Sequence, residues 1–146
     1  QNYIIYRLAD VLLMKAEALI MQGHNEDAAD LIDRTRERAG LGETTLSDDR
    51  MVMLETLLVE RQKEFFGEGK NWFDLLRIGL RSEQLNDTQY KTLFVEQALK
   101  AVGASRQSLG RATLANSGSW YLPYSEDELS KNPLLEQSDY YQSISN

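Results

Sequence analysis

Cysteine is absent from the 146-residue sequence, and histidine occurs only once, as His24. Without cysteine the chain cannot form disulfides, thiolate metal sites or a cysteine nucleophile. A single histidine cannot by itself supply a catalytic triad or a multi-histidine metal site, and His24 follows Gly23 where an exposed turn is expected. Thiol chemistry and sites built on several histidines are therefore excluded.

Long apolar runs and an excess of positive charge are also lacking. The longest apolar stretch, residues 11–21, is interrupted by Lys15 and Glu17, whereas a membrane span needs about 20 apolar residues. With 23 acidic and 16 basic side chains, the net charge of −7 repels phosphate backbones and anionic lipid surfaces. We therefore expect no nucleic-acid partner and no membrane span in this chain.

The length and the 42% of hydrophobic residues suffice for one compact domain, over residues 1–146, with a core of its own. The sequence opens on Gln1, without a basic segment followed by an apolar one. We therefore expect a fragment or processed chain of a longer protein, with any signal or lipid anchor upstream.

Apolar residues recur at steps of three and four through the first 103 residues, which is the period of amphipathic helices. Asn25 is the expected N-cap of the second helix, and Ser47 with the acidic pair after it is typical of a helix start. Five helices are predicted: residues 3–21, buried on most sides, residues 26–38, a third helix between Asp49 and Gly67, residues 71–80 and residues 88–103.

The first two predicted helices match the spacing of a tetratricopeptide-type repeat. The repeat requires small residues at two positions, which are Ala16 and Ala28 here, and large residues at two others, which are Leu19 and Ile32. Its glycine is Gly23. Small residues let two antiparallel helices approach closely, and glycine permits the tight turn between them. The predicted fold class is therefore all-α, with tetratricopeptide-like helical hairpins.

A long irregular segment is expected after the fifth helix. Residues 105–119 are rich in serine and glycine and lack periodicity, which predicts a loop or an irregular extended segment. Residues 120–124 form a short apolar stretch that the proline at position 123 favours as extended. Ser125 is expected to cap a single acidic turn over residues 126–129, and the tail after it carries no strong helix signal.

Arg61 interrupts an otherwise apolar stripe on the third predicted helix. Leu54, Leu58 and Phe65 share that stripe. A charged side chain on a buried face needs a partner of opposite charge. We therefore expect Arg61 to be partly buried and paired with a carboxylate from another helix.

Three groups of residues, in this order, resemble the SusD/RagB family. The first is the string at residues 7–18, followed by Gly23, Ala28 and residues 38–40. The second comprises Glu60, Arg61, Glu64, Glu68, Gly69, Phe73, Asp74, Leu75 and Arg77. The third comprises Leu122, Pro123, Glu128, Leu129, Asn132, Pro133, Gln137 and Tyr140. The resemblance covers nearly the whole chain, apart from about residues 81–118.

The resemblance implies the C-terminal part of a lipoprotein exposed on a Gram-negative outer membrane, whose N-terminal lipid anchor lies outside this chain. Such proteins capture nutrients, most often oligosaccharides, and pass them to a TonB-dependent, SusC-like porin. In that family the helical repeats form the scaffold and much of the porin contact. The resemblance therefore implies a binding protein rather than an enzyme, and a structural role for Glu17, Arg61, Glu64, Asp74 and Arg77.

Sugars are bound by aromatic faces, with polar side chains satisfying their hydroxyl groups. Trp120 and Tyr90 are the candidate ligand-binding residues. Tyr90 begins a helix and is expected to be half exposed, whereas Trp120 is either a core or interface residue or a platform for a sugar. Trp72 and Phe73 lie among apolar neighbours and are predicted to be core residues.

Two other functions are consistent with parts of the sequence. Glu60, Glu64 and Glu68, spaced four apart, could line a metal site or the acid/base pair of a glycoside hydrolase. Because Arg61 and Lys63 accompany them, we interpret these carboxylates as partners in packing and ion pairs, with no catalytic residue, metal or cofactor. The hairpin alone would also fit a tetratricopeptide-type adaptor that binds a protein segment.

Overall fold

The computed structural model describes residues 5–144, and this part of the chain contains helices and no strand. The prediction of an all-α fold is confirmed. The helices are α1 (Leu8–Gln22), α2 (Asn25–Arg38), α3 (Arg50–Glu64), α4 (Asn71–Leu85), α5 (Thr88–Leu99), α6 (Ala104–Leu114), the 3₁₀-helix Ser117–Trp120, α7 (Glu126–Lys131) and α8 (Asp139–Ile144). None of the helices described is long and apolar enough to cross a membrane.

The chain divides into two compact units, which we call unit 1 (Gln1–Phe94) and unit 2 (Val95–Asn146). Unit 1 holds α1 to α4 and the first part of α5. Unit 2 holds the end of α5, the 3₁₀-helix and α6 to α8. A single domain over residues 1–146 stays a prediction.

Helices α1 and α2 form the predicted hairpin. Gly23 adopts the left-handed conformation, with φ of 82°, and its N–H and that of His24 donate to carbonyls of the last turn of α1. Ala16 and Ala28 are fully buried where small residues were expected to permit close packing, and the larger Ile32 is fully buried as well. Asn25 does not cap α2 as predicted, because it is the first residue of the helix and its side-chain amide donates to the carbonyl of Ser47.

Helix α3 begins as the acidic signature predicted, because the carboxylate of Asp49 accepts a hydrogen bond of 2.7 Å from the N–H of Met51. It ends where Gly67 and Gly69 adopt positive φ.

Helix α4 continues to Leu85, five residues beyond the predicted end. The extension is polar but places Arg81 against a carboxylate of α1, so that an ion pair supports it where apolar periodicity does not.

Helix α1 begins at Leu8 rather than at Tyr3, which lies outside the described residues. Arg7 is extended, and its side chain is bound to Glu64 and Glu68, which ends the helix on the N-terminal side. The expectation that α1 is buried on most sides is wrong. Leu8, Val11 and Met14 lie on the exposed side of the helix.

Residues 104–114 of unit 2 form helix α6, so the predicted irregular segment is wrong over that range. Helix α6 contains no buried residue, and apolar periodicity therefore could not reveal it. It is held by an ion pair between Arg111 and Glu96 and by close packing, because a Cβ built on Gly110 would lie 2.6 Å from Cδ2 of Leu99.

The remainder of unit 2 is partly as predicted. Ser125 caps α7, accepting a hydrogen bond of 3.3 Å from the N–H of Glu128. Trp120, however, ends a 3₁₀-helix rather than starting an extended stretch. The tail forms α8, and Tyr140 on that helix lies so close to Gly118 that a Cβ there would be 2.6 Å from the Cβ of Tyr140. This close packing explains a helix that the sequence pattern did not predict.

Candidate functional site

The side chain of Arg61 lies at the centre of unit 1 and is only 4% exposed. Its Nε donates to Oδ2 of Asp74 at 2.8 Å, and its Nη2 donates to Oδ1 of Asp10 at 3.4 Å. Both carboxylates are buried, and they belong to α4 and α1. Arg61 is therefore buried and paired with carboxylates of other helices, as its place on an apolar stripe predicted.

Asp74 connects this pair to the surface of unit 1 through Arg77. Nη2 of Arg77 donates to Oδ1 of Asp74 at 3.2 Å and to Oε2 of Glu17 at 2.6 Å. Glu17 is buried on α1 and also accepts a hydrogen bond of 2.9 Å from Nη2 of Arg81. Two arginines of α4 therefore neutralise one buried carboxylate of α1.

Asp10 connects Arg61 to the segment between α3 and α4. The ammonium of Lys70 is paired with Asp10 and, at 3.2 Å, with Oε2 of Glu68. Arg7 is bound to Glu68 at 2.8 Å and also to Glu64 at the end of α3. The ion pairs thus form one continuous path, which reaches solvent near the start of α1.

We call these residues, with Arg38, the ion-pair network. Nη2 of Arg38 lies 2.6 Å from Oε1 of Glu64. The network contains five carboxylates and six cationic groups: Asp10, Glu17, Glu64, Glu68, Asp74, Arg7, Arg38, Arg61, Lys70, Arg77 and Arg81. It joins α1, α2, α3 and α4, so these charges of the family-like motifs serve packing between helices.

The ring of Phe65 lies among three cations of the network and is buried. Nζ of Lys70 and Cζ of Arg7 are each 4.6 Å from the ring centroid, and Cζ of Arg61 is 4.8 Å away. The negative faces of an aromatic ring attract cations at such distances, most strongly where water is excluded. Phe65 therefore adds a further attraction to three cations that are already paired with carboxylates of the network.

Ionisation of Glu17 is coupled to its two arginines. Burial alone would raise the pKa of this carboxyl, but hydrogen bonds and the positive charges of Arg77 and Arg81 outweigh it and hold the pKa below its ordinary value of 4.5. Burial likewise acts to lower the pKa of Arg77, and the hydrogen bond and charge of Glu17 raise it overall. Both groups are therefore charged together at neutral pH.

The carboxylates at positions 60, 64 and 68 do not face a common opening. Glu60 is buried and bound to Nη1 of Arg36 at 3.0 Å, whereas Glu64 and Glu68 belong to the ion-pair network. Among the described residues, no group of three or more histidine, cysteine, aspartate or glutamate side chains is placed to hold a metal. This arrangement suits helix packing better than acid/base chemistry.

The two candidate ligand-binding aromatics are buried. Tyr90 is 1% exposed, and its hydroxyl lies 3.7 Å from Sδ of Met21, so the expected half exposure is wrong. Trp120 is 2% exposed, and its Nε1 donates to the carbonyl of Leu114 at 2.9 Å. A ligand role for either residue stays a prediction, and neither ring offers an open face to a sugar in this structure.

The prediction that Trp72 and Phe73 are core residues is wrong, because they are 39% and 68% exposed. The buried residues of α4 are instead Asp74, Leu75, Ile78 and Gly79. Trp72 keeps one edge contact, with its ring centroid 5.7 Å from that of Phe94. Apolar residues at the start of α4 are therefore not a reliable sign of burial.

Exposed apolar side chains surround a cavity of about 230 Å³ beside the ion-pair network. Ile5, Tyr6, Met14 and Phe73 line it, and we call these four residues the apolar face. The sequence did not reveal this face, because each of its residues continues an apolar helical pattern. Met14 and Phe73 each lie four residues from a charged residue that lines the same cavity, Asp10 and Arg77, and this spacing was the available signal.

Unit 1 is thus an all-α arrangement in which buried ion pairs join α1, α3 and α4. The sequence profile of the SusD family matches residues 1–141. The chain belongs to the SusD family.

Individual relatives agree with this assignment. SusD-like protein P38 of Formosa agariphila is 37% identical over 84 residues, covering 52% of this chain and 17% of that protein. SusD-like protein P25 of the same organism is 28% identical over 141 residues, covering 94% of this chain and 24% of that protein. The crystal structure of a SusD superfamily protein from Bacteroides fragilis superposes with a TM-score of 0.65 at 28% identity, over 94% of this chain and 28% of that one. The chain thus spans between 17% and 28% of the length of these relatives.

We expect Arg61→Ala to destabilise the protein by about 3–5 kcal/mol, because it leaves the carboxylates of Asp10 and Asp74 buried without their shared cation. The matched control is Arg38→Ala, which removes a network arginine that is 63% exposed. Its cost should stay below about 1 kcal/mol. Urea unfolding measures both values, and equal losses for the two variants would contradict the central position of Arg61.

We expect the free energy of unfolding to fall as the pH drops from about 4.5 through the lowered pKa of Glu17. The sign follows because the unfolded chain binds this proton more readily than the folded chain does. Glu17→Gln should therefore be less stable at pH 7 and should show a shallower decline in acid. Urea unfolding between pH 7 and pH 3 measures how the free energy of unfolding of each protein depends on pH. An equally steep fall in acid for the unmodified protein and for Glu17→Gln would refute this coupling.

Proposed function

We propose that this chain is the helical frame of a nutrient-binding protein that takes up glycans at a Gram-negative outer membrane. Membership of the SusD family, over residues 1–141, is the observation that carries the proposal. The ion-pair network supports a frame rather than a pocket, because its carboxylates are occupied by the protein's own cations. The frame holds the ligand-binding parts of the parent protein in fixed positions. Because these parts are already ordered, ligand binding loses less conformational entropy.

The proposed ligand of the parent protein is an oligosaccharide, which is the nutrient that the family resemblance implies. We infer that most contacts to it come from parts of the parent polypeptide outside this chain. Burial of Tyr90 and Trp120 supports this inference, because sugar recognition needs an open aromatic face. Ligand is thus captured by a surface that the helices support rather than form.

The proposed partner is a TonB-dependent, SusC-like porin, and the proposed location is the outer surface of the outer membrane, with a lipid anchor upstream of this chain. The parent protein would capture glycan and release it into the porin. No chemical step on the ligand is required for such a transfer. We therefore propose a binding protein and not an enzyme.

A tetratricopeptide-type adaptor would use the α1–α2 hairpin alone. We prefer the nutrient-binding function, because the family match continues beyond the hairpin through α3, α4 and unit 2. The motif residues Arg61 and Arg77 lie outside the hairpin and are bound to Asp10 and Glu17 of α1. An adaptor that uses only the hairpin would not require these ion pairs to α3 and α4.

Calorimetric titration of the complete parent protein with a panel of oligosaccharides tests the proposal. We expect saturable binding of at least one glycan, no release of reducing ends, and co-purification with a SusC-like porin. Glu60→Gln and Glu64→Gln should leave the glycan panel uncleaved, like the unmodified protein. Hydrolysis that disappears in a correctly folded Glu60→Gln or Glu64→Gln variant would refute the binding function and favour a hydrolase.

A further inference from the structure

Four tyrosines of unit 2 lie in or beside one short extended segment, residues 121–124. Tyr121 and Tyr124 belong to the segment and are 49% and 51% exposed. The hydroxyl of Tyr141 donates to the carbonyl of Tyr121 at 2.8 Å, and the ring of Tyr140 meets that of Tyr141 edge-on, with centroids 4.9 Å apart. We call these four residues the tyrosine surface. Two of its rings are open to solvent, in contrast to the buried aromatic candidates described above.

Side chains of the tail hold this segment in its extended conformation. The N–H of Tyr124 donates to Oε1 of Gln137 at 3.2 Å, and Nε2 of Gln137 donates to the carbonyl of Tyr124 at 3.0 Å. Tyr121 has φ of −106° and ψ of 152°, and the ring of Pro123 fixes a further dihedral angle. The backbone is therefore ordered before any ligand binds, so binding costs little conformational entropy.

The segment also offers polar groups beside its aromatic rings. The carbonyls of Leu122 and Pro123 accept no hydrogen bond within the described part of the chain. Leu122 itself is 92% exposed, so this stretch of backbone lies at the surface. A sugar needs an aromatic face for its apolar side and hydrogen-bond partners for its hydroxyl groups. Half-exposed tyrosines beside accessible carbonyls meet both requirements.

The charge around the tyrosine surface distinguishes between classes of sugar. Residues 121–144 carry five acidic side chains and one basic side chain, which gives a net charge of −4. The single cation, Lys131, is already paired with Asp127. Such charges repel a uronate or sulfate group within the screening distance of about 8 Å at physiological ionic strength. The surface therefore favours neutral saccharides over acidic ones.

We propose that the tyrosine surface is a subsite for a neutral oligosaccharide, whose sugar rings stack on Tyr121 and Tyr124. This inference rests on the proposed function of the parent protein in glycan binding, and it adds one contact surface in this chain to those outside it. The extended segment forms the subsite, whereas the helices only support it. Gln137 is a positioning residue, because it holds the backbone of Tyr124 without offering a ring of its own.

Calorimetric titration of the complete parent protein tests this subsite. The probes are neutral oligosaccharides of glucose, xylose and mannose, with oligogalacturonate as the acidic counterpart. Tyr121→Ala and Tyr124→Ala should each weaken binding of the neutral glycan about tenfold, because each removes a stacking ring. Tyr124→Phe keeps the ring and should stay within about threefold of the unmodified protein. Leu134→Ala is the matched control, since Leu134 is 92% exposed in the same unit but cannot stack, and it should leave the affinity unchanged.

A second measurement needs no substitution and therefore does not depend on the folding of a variant. Nitration of the unmodified parent protein by tetranitromethane, mapped by mass spectrometry, reports the accessibility of each tyrosine. A saturating neutral glycan should slow nitration of Tyr121 and Tyr124 about threefold or more, because a bound sugar covers the rings. Tyr6 is the control, since it is 67% exposed in unit 1 and should react at the same rate with and without glycan.

The outcomes separate this inference from the proposed function. A parent protein that binds a neutral glycan with unchanged affinity in both alanine variants, or without protecting either tyrosine, would overturn the subsite and leave the proposed function standing. Binding of oligogalacturonate in preference to all neutral probes would overturn the subsite in the same way. Failure to bind any glycan would refute the proposed function, and the subsite with it.

Discussion

A guanidinium held between two buried carboxylates fixes the relative positions of three helices. Arg61 of α3 binds Asp10 of α1 and Asp74 of α4, and none of the three groups has appreciable access to water. Removing such charges from water is expensive, and only near-complete pairing offsets that cost. The helices must therefore pack in the arrangement that brings all three residues together, because a shifted arrangement would bury an unpaired charge.

The rest of the ion-pair network extends this constraint from the interior to the surface. Glu17 needs both Arg77 and Arg81, which accounts for the polar extension of α4 beyond its apolar residues. Arg7 is held by two glutamates and thereby sets the first residue of α1. Helix boundaries in unit 1 are thus determined by where ion pairs form, as well as by apolar periodicity. In the proposed function, a frame of this kind keeps its geometry while other parts of the parent protein contact the ligand.

The sequence predicted those features whose physical cause is local or periodic. The glycine turn after α1, the acidic cap of α3 and the pairing of Arg61 follow from single residues and their immediate pattern. Exposure of Phe73 could not be predicted in this way, because its pattern is that of a core residue and only the surrounding chain decides whether it is covered. Tyr90 shows the opposite error, since a polar helix start gave no sign that the ring packs inward. Helix α6 was missed because packing at Gly110, rather than an apolar stripe, supports it.

A double-mutant cycle between Arg61 and Asp74 tests the central claim most directly, when unfolding and glycan binding are both measured on the parent protein. The partners would be replaced by apolar residues of similar size, as Arg61→Met and Asp74→Leu, singly and together. If the ion pair serves the frame, the coupling energy in unfolding should reach about 1–3 kcal/mol, while the coupling energy in glycan affinity should be near zero. Negligible coupling in unfolding, or a comparable coupling in glycan affinity, would contradict the frame and place these residues in the binding site.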